Sequence, residues 1–285
     1  MLNAGSLSCW MKFRIWLGER LYGESSSRQV YYVVPRKVLK VRCHRTELEA
    51  MEYAGQHTTI PIPTVYKAYG KGDYRDLLLE RAPGQDLEMS WRSLTAAQKA
   101  DIVRELAGYV SQLRQLHPPR EGVVGSVSLG SGYDHRLGSR RFGPFSIAEF
   151  HKYVRRDVDL ESWKARDETV AQVHSRSDSY ATKFTHADLS PSNIMIKNGK
   201  ISAIIDWEFA GWFPEYWEYT KIYYGFRDWR KDFYSEIEHF FTVYSEELDA
   251  EQAIWAVTGP FDYEPVATVV TALQQRRDID AKAKG

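Results

Sequence analysis

Four residues able to do chemistry lie within one short stretch, Phe184 to Trp207: His186, Asp188, Asn193 and, beyond an Asn198-Gly199 pair, Asp206. Asn-Gly supplies the two positive-φ residues of a type I′ turn, so the flanking runs Ile194 to Lys197 and Lys200 to Ile205 are predicted to form a two-residue β-hairpin. With Lys197 facing Lys200, counting back sets Ile196 opposite Ile201, Met195 opposite Ser202, Ile194 opposite Ala203 and Asn193 opposite Ile204. Asp206 is then the diagonal neighbour of Asn193 on the same face, with Cβ atoms on the order of 7 Å apart. Two oxygen-bearing side chains so placed can share one hard cation. Asp188 precedes Asn193 by five residues, in a loop opened by His186 and stiffened by Pro191. A carboxylate that orients a hydroxyl and accepts its proton, with an Asn and an Asp to hold Mg²⁺ on phosphates, is the set that phosphoryl transfer requires. Oxygen ligands suit Mg²⁺, whereas zinc would call for His or Cys.

The rest of the chain must position these groups. It has 285 residues, 43% of them hydrophobic, enough for one large domain or two lobes with a sizeable core. Lys+Arg and Asp+Glu balance at 38 each, so no global field favours nucleic acid or an anionic membrane surface. Cys9 and Cys43 have neither metal spacing nor a disulfide framework, which fits ordinary thiols in a reducing cytosol. No apolar run approaches the ~20 residues that span a bilayer, and Lys12, Arg14, Glu19 and Arg20 interrupt the only hydrophobic patch near the N-terminus, against a secretory signal. A cytoplasmic protein with no membrane or nucleic-acid partner is the expectation.

Leu7, Trp10, Met11 and Ile15 recur at roughly helical spacing over residues 6 to 22, predicting an amphipathic helix docked on the body, with a membrane-surface role as its sharper alternative. Glu24-Ser-Ser-Ser-Arg28 then leads into two β-type runs, Gln29 to Val34 and Val38 to Val41; a small-residue turn followed by a lysine, Lys40, is one way to meet a nucleotide's phosphates. A helix is predicted over Glu47 to His57, ended ahead of Pro61-Ile-Pro63. Glu49, nine residues after Lys40, could reach back to hold it, while Glu47 and Glu52 read as solvent-facing. Strands follow at Thr64 to Ala68 and Leu77 to Leu79, and the turn-rich Glu80-Arg-Ala-Pro-Gly84 marks a lobe boundary, with backbone groups of Glu80 and Ala82 able to read an adenine ring slotted against Leu79. Domains are therefore placed at 1–82 and 83–285. Thr95-x-x-Gln98 and Ser146-x-x-Glu149 are capping boxes that open helices, and the glycine-rich stretch from Glu121 to Pro144 is a long irregular segment. From Asp206 to Glu251 twelve acids outnumber four bases in the most aromatic part of the chain. An acidic aromatic wall would suit an amine-bearing substrate; the plainer account is that Trp217, Tyr219 and Tyr223 are core and the acids a solvated face.

Taken together, Leu39-Lys40-Val41, Glu49-Ala50 before Ile60-Pro-Ile-Pro63, Leu78-Leu-Glu-Arg-Ala-Pro-Gly84, His186 to Asn193, and Ile205-Asp-Trp-Glu-Phe-Ala-Gly-Trp-Phe-Pro-Glu-Tyr-Trp-Glu-Tyr219 resemble the aminoglycoside phosphotransferase family of the protein-kinase-like fold, fungal members in particular. The resemblance spans roughly residues 20 to 245. It implies an α+β, bilobal architecture, with a small β-rich N-lobe and a larger, mainly helical C-lobe carrying the catalytic hairpin. It also implies ATP and Mg²⁺ as cofactors, Lys40 on the α/β-phosphates held by Glu49, and adenine read by the backbone of Glu80 and Ala82. Asp188 would be the catalytic base, Asn193 and Asp206 the metal ligands, and His186 a structural residue. Two departures stand out: Ala187 occupies a position where the family usually has Gly, and the phosphate-covering turn lacks a clear glycine pattern.

The expected function is an ATP- and Mg²⁺-dependent O-phosphotransferase acting on a hydroxyl of a small metabolite, amine-bearing or aminoglycoside-like compounds included. The alternative from another class is a kinase-like pseudoenzyme that binds nucleotide without turnover. A metal-dependent hydrolase using His186 and Asp188 as ligands is the third reading, and it leaves Lys40 and Glu49 without a role.

Overall fold

A computed structural model describes residues 9–23, 29–224 and 231–258. In chain order the elements are α1 (Cys9–Tyr22), β1 (Val30–Val33), β2 (Lys37–His44), α2 (Arg45–His57), β3 (Val65–Tyr69), β4 (Tyr74–Glu80), β5 (Gln85–Asp86), α3 (Leu87–Ser90) and α4 (Ala96–Gln115). They continue with β6 (Val123–Val124), β7 (Phe145–Ser146), α5 (Ile147–Val154), α6 (Leu160–Lys164), α7 (Glu168–Ser175), β8 (Thr182–Thr185), β9 (Ile194–Lys197) and β10 (Lys200–Ile204). The last are β11 (Gly211–Pro214), α8 (Trp217–Tyr223), α9 (Lys231–Phe240) and α10 (Ser245–Thr258). This is the expected α+β class, with a β-rich N-terminal part and a mainly helical C-terminal part, as in the protein-kinase-like fold.

The described residues fall into two compact units, one drawn from Met1–Thr95 and Pro191–Glu208, the other from Ala96–Ser190 and Phe209–Gly285. A single cut at 82/83 does not describe them, because the hairpin joins the first unit. β9 pairs with β5, Ser202 Oγ donates to the Pro83 carbonyl at 2.5 Å, and the Ile204 amide donates to Pro61 O at 2.8 Å. Gly84 makes this approach possible: its φ is +98°, and a Cβ there would lie 2.0 Å from Ile196 O.

In the first unit an antiparallel sheet in the order β1-β2-β4-β3 is covered by α1, whose Met11 and Ile15 pack with Val33, Leu39, Val41 and Leu78. A helix docked on the body through Met11 and Ile15 is what the spacing predicts, but Trp10, grouped with them in that pattern, is exposed instead. The outer face of α1 is aromatic, with Trp10, Phe13 and Trp16 stacked in succession and exposed. No described helix is long and apolar enough to cross a membrane.

The second unit is built on an aromatic core that includes Phe142, Phe150, Trp163, Phe213, Tyr216 and Trp217. The glycine-rich segment is anchored to it: Asp134, fully buried, accepts from Trp217 Nε1 at 3.1 Å and Lys221 Nζ at 2.6 Å. The capping box at Ser146 and Glu149 forms as the sequence predicts. Trp217, Tyr219 and Tyr223 are buried, and four of the acids pair with bases from elsewhere in the second unit: Asp232 with Lys99 and Glu246 with Arg176 at the surface, Glu215 with Arg114 half-buried, and Glu251 with Arg136 in the core. The plainer account holds for the three aromatics, whereas Glu218 and Glu251 are buried and belong to no solvated face; Arg227, Asp228 and Arg230 lie outside the described residues.

Candidate active site

Lys40 sits on β2, where Leu39 and Val41 point into the core and Lys40 to the opposite face. Its Nζ lies 2.6 Å from Glu47 Oε1 and 2.5 Å from Asp206 Oδ1. Burial alone would lower the pKa of this ammonium, but the two carboxylates outweigh that and hold it above its usual range. Burial likewise pushes the Glu47 carboxyl up, and Lys40 offsets part of the rise. Lys40 is thus a fixed cation, positioned from two sides.

The expectation that Glu49 holds Lys40 is corrected. α2 begins at Arg45, directly after β2, with His44 as its cap: the ring Nδ1 of His44 accepts from the Thr46 amide. Glu47 consequently falls in the first turn, folded back onto β2 and 1% exposed, not solvent-facing. Glu49 pairs with Arg45 across one helical turn at 3.0 Å. We expect Glu47→Ala to lower any Lys40-dependent activity about 100-fold and to cost ~1–3 kcal/mol, since it strips a buried partner from the ammonium. Glu49→Ala should alter stability by less than about 0.5 kcal/mol and leave activity within about twofold. Parallel kinetics and urea unfolding of the two variants check this, and equal losses would remove Glu47 from the site.

The hairpin turn forms as read, with φ of 54° at Asn198 and 75° at Gly199. Its register does not follow the simple count. Lys200 faces Lys197 and Ile201 faces Ile196, but Ala203 faces Met195 and Ile204 faces Ile194, so Ser202 is the extra residue of a bulge. The Ile205 amide then donates to Asn193 O at 3.0 Å, placing Asn193 opposite Ile205 and one step nearer Asp206 than predicted. Asp206 has φ +68°, a left-handed conformation that Asp tolerates better than most residues, and it turns the chain out of β10 as its carboxylate meets Lys40.

Lys40, Glu47, Asn193 and Asp206 line one cavity of about 700 Å³, together with Glu80 and Ala82. Val38, Met51, Pro63, Leu79, Met195 and Ile205 supply apolar walls. The volume is ordinary for a small-molecule or cofactor site. The Glu80 amide is already committed to Thr64 O at 2.8 Å. The serine-rich turn expected to cover phosphates, Glu24 to Arg28, lies outside the described residues. The donor set fits Mg²⁺: Asn193 and Asp206 offer only oxygens, and an ion that keeps waters and phosphate oxygens needs few protein ligands. Among the described residues no group of three or more His, Cys, Asp or Glu could hold a metal, so a zinc-type centre at His186 and Asp188 has no support.

Asp188 belongs to the second unit, on the loop after β8. Buried His186 accepts the Asp188 amide on its Nδ1 at 3.2 Å, and Ala187 adopts φ +64°, the conformation that a glycine would take without strain. The residue that grips this loop is Glu218 of α8, whose Oε2 accepts from the His186 amide at 2.6 Å and whose Oε1 accepts from the Ala187 amide at 3.0 Å. Sequence reasoning counted Glu218 only among the acids, although its place in the Trp217-Glu-Tyr219 run of a recognised motif could have singled it out. Burial pushes its carboxyl up to about 7, against the two amides and Lys221, which favour the ionised form.

The sequence profile of the phosphotransferase enzyme family matches residues 20–253. Among curated proteins none matches the chain. Solved structures similar to it include aminoglycoside phosphotransferase APH(3'')-Id of Streptomyces rimosus in complex with ADP and streptomycin, at 14% identity over 94% of this chain and 99% of that one, with a TM-score of 0.52. Aminoglycoside phosphotransferase APH(2'')-Ib with ADP is 13% identical over 94% and 96% of the two chains, with a TM-score of 0.53. The ternary complex of APH(2'')-IIa with streptomycin and ATP is 14% identical over 96% and 97%, also with a TM-score of 0.53. At these identities the likeness is one of fold.

Proposed function

Since the chain belongs to the phosphotransferase enzyme family, we propose that it is an ATP- and Mg²⁺-dependent O-phosphotransferase that acts on a hydroxyl of a small molecule. The observation that carries this reading is the lysine shared by Glu47 and Asp206 on the wall of a nucleotide-sized cavity. In this reading Lys40 meets the α/β-phosphates, Leu79 and Val38 flank the adenine, and backbone groups of Glu80 and Ala82 read its edge. Mg²⁺ held by Asn193 and Asp206 would neutralise and orient phosphate oxygens. Asp188 orients the acceptor hydroxyl and takes its proton, and Glu218 keeps the Asp188 loop in shape. A cytosolic setting, where ATP and Mg²⁺ are supplied and Cys9 and Cys43 remain thiols, fits this chemistry. The likeness to fungal members rests on the motifs alone. The acceptor is left at a hydroxylated small molecule: the pairing of Glu215, Asp232, Glu246 and Glu251 with bases of the same unit withdraws part of the argument for a cationic substrate.

Stabilisation by nucleotide with Mg²⁺ tests the cavity. At 100 times Kd, ATP with Mg²⁺ should stabilise the protein by about 2.7 kcal/mol, and no shift with any nucleotide would sink the proposal. A screen for γ-phosphate consumption over aminoglycosides, amino alcohols and sugars then tests turnover; binding without turnover on any acceptor would favour the pseudoenzyme.

Glu218 adds a pH dependence. Both loop amides need acceptors, so protonating the carboxylate removes one, and activity should fall as pH drops through about 7. Glu218→Gln should show reduced activity without this inflection in its pH–rate profile; an unchanged inflection would assign it to another group.

A further inference from the structure

A second cavity, of about 660 Å³, lies in the first unit and shares Glu80, Arg81, Ala82 and Gly84 with the cavity that holds Lys40. Its lining brings three cations, Arg36, Arg81 and Lys197, against a single acid, Glu80. Glu80 is turned to other work: its Oε2 accepts from the Thr64 amide at 3.3 Å and from Thr64 Oγ1 at 3.0 Å. Among the described residues no carboxylate forms an ion pair with Arg36, Arg81 or Lys197. Three cations against one acid leave the lining net positive, an excess that a bound anion would offset.

The cations are also organised. The Arg81 guanidinium is held 4.2 Å over the ring of Tyr22 and 4.7 Å over that of Tyr32, which fixes its plane and leaves its edge for ligands. The Arg81 amide donates to Arg36 O at 2.9 Å, tying the two arginines together by backbone. Arg36 itself takes φ 47° in the turn between β1 and β2. Tyr22 and Tyr66, 41% and 49% exposed, stand at the walls; one face of each ring is covered, that of Tyr22 by Arg81 and that of Tyr66 by Lys37 Nζ at 3.7 Å, so what each offers a ligand is its remaining exposed surface.

We propose that this cavity binds a small phosphomonoester, its phosphate held by Arg36, Arg81 and Lys197 and its organic body against Tyr22 and Tyr66. Arginine forks match phosphate oxygens in bidentate fashion, and the volume exceeds what a free oxyanion would fill. The site adjoins the one proposed for ATP and shares Arg81 with it, but Arg36, Lys197, Tyr22 and Tyr66 lie outside that cavity, and the inference does not depend on that reading.

The test is thermal unfolding of the full chain titrated with inorganic phosphate and with phenyl phosphate, against chloride at equal ionic strength. The wild type should be stabilised saturably, and Arg36→Ala/Lys197→Ala, which alters two exposed side chains, should bind at least tenfold more weakly while still unfolding cooperatively. Lys40→Ala should keep the wild-type response. Tighter binding of phenyl phosphate assigns the tyrosines to the organic body, and equal binding identifies the free oxyanion as the ligand of the same cations. No stabilisation beyond chloride, an unchanged response in the double variant, or a response lost only in Lys40→Ala would overturn the proposal.

Discussion

Asp188→Asn is expected to lower phosphoryl transfer about 1,000-fold, within the range that a positioned general base contributes. That corresponds to about 4 kcal/mol of transition-state free energy. The substitution preserves the shape of the side chain, and the two loop amides that precede it, those of His186 and Ala187, stay with Glu218. Nucleotide affinity should remain within about twofold, because the residues lining the cavity proposed for the nucleotide all belong to the first unit and Asp188 to the second. The measurement pairs single-turnover kinetics with calorimetric titration of a non-hydrolysable ATP analogue. Near-normal turnover would remove Asp188 from the chemistry, and a parallel loss of nucleotide affinity would make its role structural.

The second large effect concerns acid stability. His151 and His174 stack with ring centroids 4.2 Å apart in the second unit, both buried. His151 is bonded through Nδ1 to Ser177 Oγ and through Nε2 to the Tyr216 hydroxyl, each at 2.8 Å, while Arg155 Nη1 donates to His174 Nδ1 at 2.8 Å. Burial, with Arg155 adding to it, pushes His151 down to about 3, and burial also carries His174 well below its usual value. A histidine whose folded pKa is depressed contributes stability that is complete above its unfolded value and is lost as pH falls. Between pH 7 and 4.5 His151 alone should remove about 2–3 kcal/mol. Glu218 acts in the opposite sense: raised to about 7, it costs stability at higher pH and relieves that cost on acidification. The two slopes largely cancel in the wild type, so the difference between proteins is what reports them. Relative to His151→Gln, the wild type should lose about 2–3 kcal/mol between pH 7 and 4.5 in urea unfolding. Equal losses in both proteins would mean that His151 is charged or solvated in the fold.

Some of this was readable because it is local. The Asn198-Gly199 turn, the Ser146 capping box and the alternation that points Lys40 away from Leu39 and Val41 follow from dihedral preference and period, properties of a few adjacent residues. The resemblance added the loop chemistry of His186 to Asn193 and the partnership of Lys40 with an acid on the following helix. Where distant parts of the chain decide, the reading failed. Glu47 and Glu49 lie about 200° apart around a helix, so which one meets Lys40 depends on where α2 starts, and the His44 cap at the end of β2 sets that start. The slip at Ser202 accompanies its hydrogen bond to the Pro83 carbonyl, 119 residues earlier, which no count along the hairpin contains. The same pairing with β5 moved the hairpin into the first unit. Glu218, the histidine stack and the arginines of the second cavity are likewise juxtapositions: their residue types were visible from the start, but burial and partners, which set their energies, exist only once the chain has packed.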